Sequence, residues 1–232
     1  MRNGDIPIRD LRRVAGRVIL VSMATTYPTG AARAANRLIL WATLGFSVCA
    51  LVALALISLL VKPSEGPPLI VYGVSLFLCS ACSFVYNVFD RSPRRRLYRL
   101  FDHAAIFLLI AGTYTPFTTI GIGGTFGRTL LSVTWTLAIL GILLKFFANE
   151  RHDRPFVFLY LAVGWIFVIG FNDMIASLNA WTLALLIAGG IAYTIGSMIY
   201  MRDIGRWTDP VWHGFVLAGS SLHFSAILIL AS

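Results

Sequence analysis

Charge is what this chain has least of. Only 12% of its 232 residues are charged and only 10 are acidic, whereas 58% are hydrophobic. A soluble surface needs more charge than that, so an ordinary soluble domain is excluded. Cysteine is scarce too. Cys79-Ser-Ala-Cys82 has the C-x-x-C form, but no second pair or nearby histidine completes a zinc knuckle, and Cys49, Cys79 and Cys82 read as small packing residues within helices. Strict apolar/polar alternation is missing, which argues against a transmembrane barrel. A cleavable leader is not expected either. The apolar run before Ala24 is short, and no clean small-residue site follows it.

What is present is a series of long apolar runs. Each is close to the 20 residues that cross about 30 Å of hydrocarbon as a helix. Spans are expected at Leu38–Val61, Pro68–Phe89, Asp102–Ile120, Arg128–Ala148, Pro155–Phe171, Ala180–Met201 and Val211–Leu230, the fifth being the shortest. The predicted fold is therefore an all-α integral membrane protein, a seven-transmembrane helix bundle. Residues 1–35 are read as a basic N-terminal arm and residues 36–232 as the membrane domain. Pro116 predicts a kink in the third span. Gly121, Gly123, Gly124 and Gly127 mark the turn after it, and Gly189, Gly190 and Gly196 suit close helix approach in the sixth.

The net charge of +9 is distributed by topology. Sixteen of the 19 basic residues lie before the first span or in the second, fourth and sixth connections, and Lys145 lies in the last turn before the fourth, against Lys62 and Arg128 on the other side. The positive-inside rule then puts the N-terminus in the cytoplasm and the C-terminus outside. The arginines are expected to meet anionic headgroups of membrane lipids. No reading motif accompanies them, so nucleic acid is not an expected partner.

Against this background a few polar side chains stand out, because ionisable groups within spans are expensive. Ser83 and Asn87 close the second span, Asp102 and His103 open the third, and Asp209 and His213 open the seventh. All these ends face the cytoplasm in the expected topology, so one inner-leaflet pocket could hold them. Ser83 and Asn87 are four residues apart, as are Asp209 and His213, and such pairs share a helix face. A carboxylate and an imidazole at that spacing can chelate a metal or act together in acid–base chemistry. Plainer roles remain open: Asp102 as a helix start, Asp209 as an N-cap before Pro210, Ser83 and Asn87 as interhelical hydrogen-bonding groups, and His213 as a satisfied core histidine. His223 lies about 15 Å deeper at 1.5 Å per residue and should not join them.

Phe101-Asp102-His103-Ala104-Ala105-Ile106 with Ala111-Gly112-Thr113-Tyr114-Thr115-Pro116-Phe117 resembles the third-helix signature of the bacterial hemolysin III family, within the progestin and adipoQ receptor superfamily. Gly189-Gly190-Ile191-Ala192-Tyr193-Thr194-Ile195-Gly196 and Trp212-His213-Gly214-Phe215 resemble its sixth and seventh helices. The resemblance implies seven helices, a cytoplasmic N-terminus and residence in the bacterial cytoplasmic (inner) membrane. In receptors of that superfamily three histidines hold zinc, an Asp contacts metal-bound water, and ceramide hydrolysis is the associated activity. On the matching positions this would make Asp102 and Ser83 catalytic, and His213, Asp209 and Asn87 the metal set. Two of those positions depart from the pattern, with Asn87 and Asp209 where histidines are expected. An amide is a poor zinc ligand, so manganese or magnesium, or no metal at all, would suit the altered set. The leading expectation is a receptor-like or membrane-homeostasis protein with a degenerate metal site and a hydrophobic ligand. A metal-dependent lipid amide hydrolase is the first alternative and a pore-forming hemolysin the second.

Overall fold

The structure, a computed structural model, describes residues 30–148 and 153–232. Most of the basic arm, and the Arg151 and His152 of the fourth connection, lie outside the described residues. Among the described residues seven helical spans are long and apolar enough to cross a membrane. In chain order the helices are α1 (Gly30–Leu60), α2 (Gly66–Val88), α3 (Arg95–Pro116), α4 (Gly124–Phe147), α5 (Asp153–Gly164), α6 (Phe171–Ser177), α7 (Ala180–Arg202) and α8 (Thr208–Leu230). The fifth span combines α5, a 3₁₀ segment at Ile166–Gly170 and α6. Among the described residues every element is helical.

Two helices begin earlier than the apolar runs suggest. The alanine-rich Gly30–Ala35 favours helix strongly, so α1 starts about two turns before Leu38 and carries Arg33, Asn36 and Arg37 on its first turns. Likewise Arg95–Phe101 extends α3 backwards, leaving Asp102 two turns inside the helix rather than at its start. Hydropathy marks where a helix enters lipid, and helix propensity carries it further into the polar layer.

Neighbouring helices in sequence pack antiparallel, α7 lies along α8, and α8 closes the bundle against α1. Small residues permit the close approaches. Gly112 leaves room only for Ser75, Gly141 only for the Phe107 ring, and Gly189 only for the His223 ring. Gly196 faces Phe215, so the sixth-span glycines mark close packing as expected. The turn after the third span needs positive φ at Gly123 (64°) and Gly124 (59°), which a side chain would strain. Leu59, Leu60, Phe147, Ile169 and Trp181 stand exposed on the outside. An apolar exterior is what a lipid-facing surface requires.

Irregular backbone within a span needs protein partners, since hydrocarbon offers none. After Pro116 the chain passes into a π-helical turn over Phe117–Ile122, and the Thr118 hydroxyl donates to the Tyr114 carbonyl at 2.8 Å. The break between α5 and the 3₁₀ segment is closed by one side chain. Tyr114 donates its hydroxyl to the Gly164 carbonyl (2.9 Å) and accepts from the Phe167 backbone N–H (3.0 Å). Trp165 adds an indole N–H to Thr194 at 2.9 Å. Replacing Tyr114 with Phe strands one buried donor and one buried acceptor. We expect Tyr114→Phe to lose about 1–3 kcal/mol of stability, read as a lowered unfolding temperature in detergent; an unchanged temperature would show that the break is held by other groups.

Candidate functional site

Six helices bring the site together from one end of the bundle. A cavity of about 690 Å³ opens there, lined by Asn36 of α1, Ser83 and Asn87 of α2, Asp102 of α3, and Asp209 and His213 of α8, among others. Val157 and Tyr160 of α5 and Tyr193 of α7 complete its walls. All five polar residues singled out from the sequence thus line one space. His223 does not line it; its Nε2 pairs with the Leu186 carbonyl at 3.1 Å in the buried interior. His103 lines the cavity, and its backbone carbonyl accepts from the Tyr160 hydroxyl at 3.1 Å.

Within this cavity four residues form a closed ring of hydrogen bonds, which passes through both the hydroxyl and the backbone carbonyl of Ser83. Asn36 donates through Nδ2 to Asn87 Oδ1 (3.3 Å), and Asn87 donates through Nδ2 to the Ser83 carbonyl (2.9 Å). His213 Nδ1 lies 2.7 Å from Asn36 Oδ1, and His213 Nε2 lies 3.3 Å from the Ser83 hydroxyl. The Asn36 amide fixes the polarity. Its nitrogen is spent on Asn87, so its oxygen must accept, and His213 carries its proton on Nδ1. Nε2 is then the acceptor for Ser83. The tautomer is assigned from this network rather than from hydrogen positions.

The carboxylates stand outside the ring. Asp102 is half-buried and accepts from the Ser83 hydroxyl, so that one proton is shared between this carboxylate and His213 Nε2. Asp209 is exposed, and it is its backbone carbonyl that faces the imidazole. It does not cap α8 either: Trp207 holds the N-cap position and no side chain makes the capping bond. His213 is buried at 7% exposure. Among the described residues no three His, Cys, Asp or Glu side chains gather as a metal-holding group. The zinc set implied by the resemblance does not fit these residues. One position is an amide already bonded on both sides, another is an exposed carboxylate, and the one histidine has both nitrogens engaged.

Asn36 is the member that the sequence reading missed. It lay at the boundary assigned between arm and membrane domain, just before the first apolar run. The signal that could have found it is the helical propensity of Gly30–Ala35, which extends α1 and puts Asn36 inside it. Deeper in the cavity a second polar group was also missed. Tyr193 and Ser220 pair at 2.7 Å, and Tyr72 donates to the Ser220 carbonyl at 3.3 Å.

Removing Asn36 takes one acceptor from the buried His213 imidazole, which keeps the Asp209 backbone carbonyl, and leaves Asn87 Oδ1 without its donor. Asn36→Ala should lose about 1–3 kcal/mol. In a double-mutant cycle with Asn87→Ala we expect an interaction energy of about 0.5–3 kcal/mol, measured by thermal unfolding. Simple additivity would mean that the two amides do not act through one ring.

With this geometry in view, the chain can be compared with known proteins. The family model described as "Haemolysin-III related" matches residues 36–224, beginning at Asn36. The chain is 38% identical over 158 residues to Hemolysin-3 of Bacillus cereus, covering 68% of this chain and 72% of that one. It is 37% identical over 158 residues to the Hemolysin-3 homolog of Bacillus subtilis (strain 168), covering 68% and 74%. More distantly, it is 25% identical over 163 residues to the human monocyte to macrophage differentiation factor, covering 68% of this chain and 67% of that protein. No solved structure matches it.

Proposed function

We propose that this chain, which belongs to the haemolysin III-related family of seven-helix membrane proteins within the progestin and adipoQ receptor superfamily, is a receptor-like or membrane-homeostasis protein with a lapsed metal site. It resides in a bacterial cytoplasmic membrane with its N-terminus inside, so the cavity opens toward the cytoplasm and the inner leaflet. A hydrophobic or amphiphilic membrane molecule is its ligand. The observation that carries this reading is the closed ring of Asn36, Asn87, Ser83 and His213. A site kept for a cation would leave donor atoms free to bind it, whereas here Asn36 and Ser83 engage both imidazole nitrogens and Asn87 is bonded to Asn36 and to the Ser83 carbonyl. Leu40, Leu76, Ile106, Leu109 and Val216 supply an apolar wall beside the polar floor, a composition suited to a molecule that is mostly apolar with a few polar groups.

A second reading, a metal-dependent lipid amide hydrolase, is favoured by one observation: Ser83, Asp102 and His213 line the same cavity. A permanent pore draws less support. Its lining would need polar groups throughout the bilayer depth, and here the charged ones gather at one end of the cavity.

Elemental analysis by mass spectrometry, on protein prepared without a metal-affinity tag, separates the first two readings. We expect wild type to hold no stoichiometric metal after incubation with Zn²⁺ or Mn²⁺, and His213→Ala to match it. The double substitution Asn87→His with Asp209→His should gain close to one zinc per chain. Near-stoichiometric metal in wild type that disappears in His213→Ala would overturn the proposal in favour of the hydrolase.

A further inference from the structure

The cavity does not end at its polar floor. A second space of about 380 Å³ adjoins it, formed by the first turns of α1 and the connection between α2 and α3. Arg33, Asp90 and Arg91 line both spaces, so they lie between one and the other. Arg37 lines the outer space as well, together with apolar Val88 and Phe89. The outer groove therefore presents three guanidinium groups and one carboxylate. Neither Arg33 nor Arg91 has a carboxylate within ion-pair distance among the described residues. Arg33 is half-buried in this position.

A half-buried guanidinium with no carboxylate at ion-pair distance among the described residues is suited to an anion from outside. Its planar fork matches phosphate oxygens two at a time. Basic pockets between membrane helices on the cytoplasmic side are natural headgroup sites. The inner cavity sets the rest of the ligand. From Asn87 to Leu76 it follows α2 for eleven residues, about 16 Å at 1.5 Å per residue. Its volume, about 690 Å³, is that of a site for one drug-sized molecule. That leaves space for one chain rather than two.

We propose that Arg33 and Arg91 bind the phosphate of a single-chain anionic amphiphile whose apolar chain runs into the cavity past the Asn36–His213 ring. This deepens the functional reading above and rests on it, because it takes the cavity to be a lipid-ligand site. Phosphate is the shared chemistry of a headgroup and of a free anion, and the position of the apolar cavity beside the arginines favours the headgroup.

The test uses the full-length protein in detergent and native mass spectrometry, with three probes: lysophosphatidate, the matched monoacylglycerol without phosphate, and inorganic phosphate. Wild type should bind lysophosphatidate more tightly than monoacylglycerol, and inorganic phosphate weakly. Arg33→Gln with Arg91→Gln should weaken lysophosphatidate at least about tenfold, the scale of losing charge-assisted bonds, and leave monoacylglycerol unchanged. Arg33→Lys with Arg91→Lys should keep part of the affinity, and Arg128→Gln at the opposite end should change nothing. Monoacylglycerol binding also reports that the glutamine variant is folded. Unchanged lysophosphatidate affinity in that variant would overturn the arginine assignment while the cavity reading stands. Inorganic phosphate binding as tightly as lysophosphatidate would overturn the amphiphile in favour of a free anion. If neither lipid binds wild type, both the assignment and the cavity reading fall.

Discussion

The bond between His213 Nδ1 and Asn36 Oδ1, 2.7 Å long, is the point on which the site depends. It joins the first helix to the last and so closes the bundle at its polar end. It also decides the chemistry. Once Asn36 accepts from the imidazole, Ser83 becomes the donor to the other nitrogen and Asn87 completes the circuit. In a bilayer this mutual satisfaction matters more than in water, because an unpaired group near the hydrocarbon has no solvent to turn to. Each bond adds about 0.5–1.5 kcal/mol net, so the ring supplies a few kcal/mol. A structural zinc contributes about 10–16 kcal/mol of apparent binding energy. The ring can therefore shape the cavity and hold three helices in register, but it does not lock them as a cation would.

Much of this was readable in the sequence. Apolar run lengths specified seven helices, because the bilayer imposes a length on each. Helical spacing put Ser83 with Asn87 on one face, and the chain direction carried Asp102 and His213 to the same end. What hydropathy could not show was where a helix begins outside the lipid. Asn36 was missed for that reason, and Asp102 was assigned to a helix start although it lies two turns inside. Nor could spacing tell a buried side chain from one at the open mouth of the cavity. Asp209 and His213 share a face, yet the carboxylate is exposed and the imidazole is buried.

The broken fifth span shows a different limit. Its apolar run was the shortest, and the helix does not continue through it. Nothing local in Gly164-Trp165-Ile166 announces the break. The compensation comes from Tyr114, fifty residues earlier, whose hydroxyl serves both the Gly164 carbonyl and the Phe167 N–H. Tyr114 lies in the Gly112-Thr113-Tyr114-Thr115-Pro116 segment, so the third span repairs the fifth while its own proline leads into a π turn. Two irregular spans side by side are stable because each lends the other its polar groups. A hydroxyl that both donates and accepts is the smallest device able to do this.

The last helix can be understood by the same argument. Along α8, His213, Ser220 and His223 are all buried, the last two within one turn of each other and two to three turns beyond the first. Each is satisfied by a different neighbour. His213 is held by α1 and α2, Ser220 by the hydroxyls of Tyr72 and Tyr193, and His223 by a carbonyl of α7. Such a helix can carry polar groups only if its neighbours come close enough to reach them, and the glycines provide that. The Tyr193 ring lies over Gly219, and the His223 ring fills the place a side chain would take at Gly189. Close packing and polar satisfaction are thus one requirement here. A bulkier residue at Gly189 would displace the His223 ring and take from its buried N–H the Leu186 carbonyl that accepts it. The small residues of the sixth and seventh spans are therefore constrained by the histidines and hydroxyls they face as much as by the space between helices.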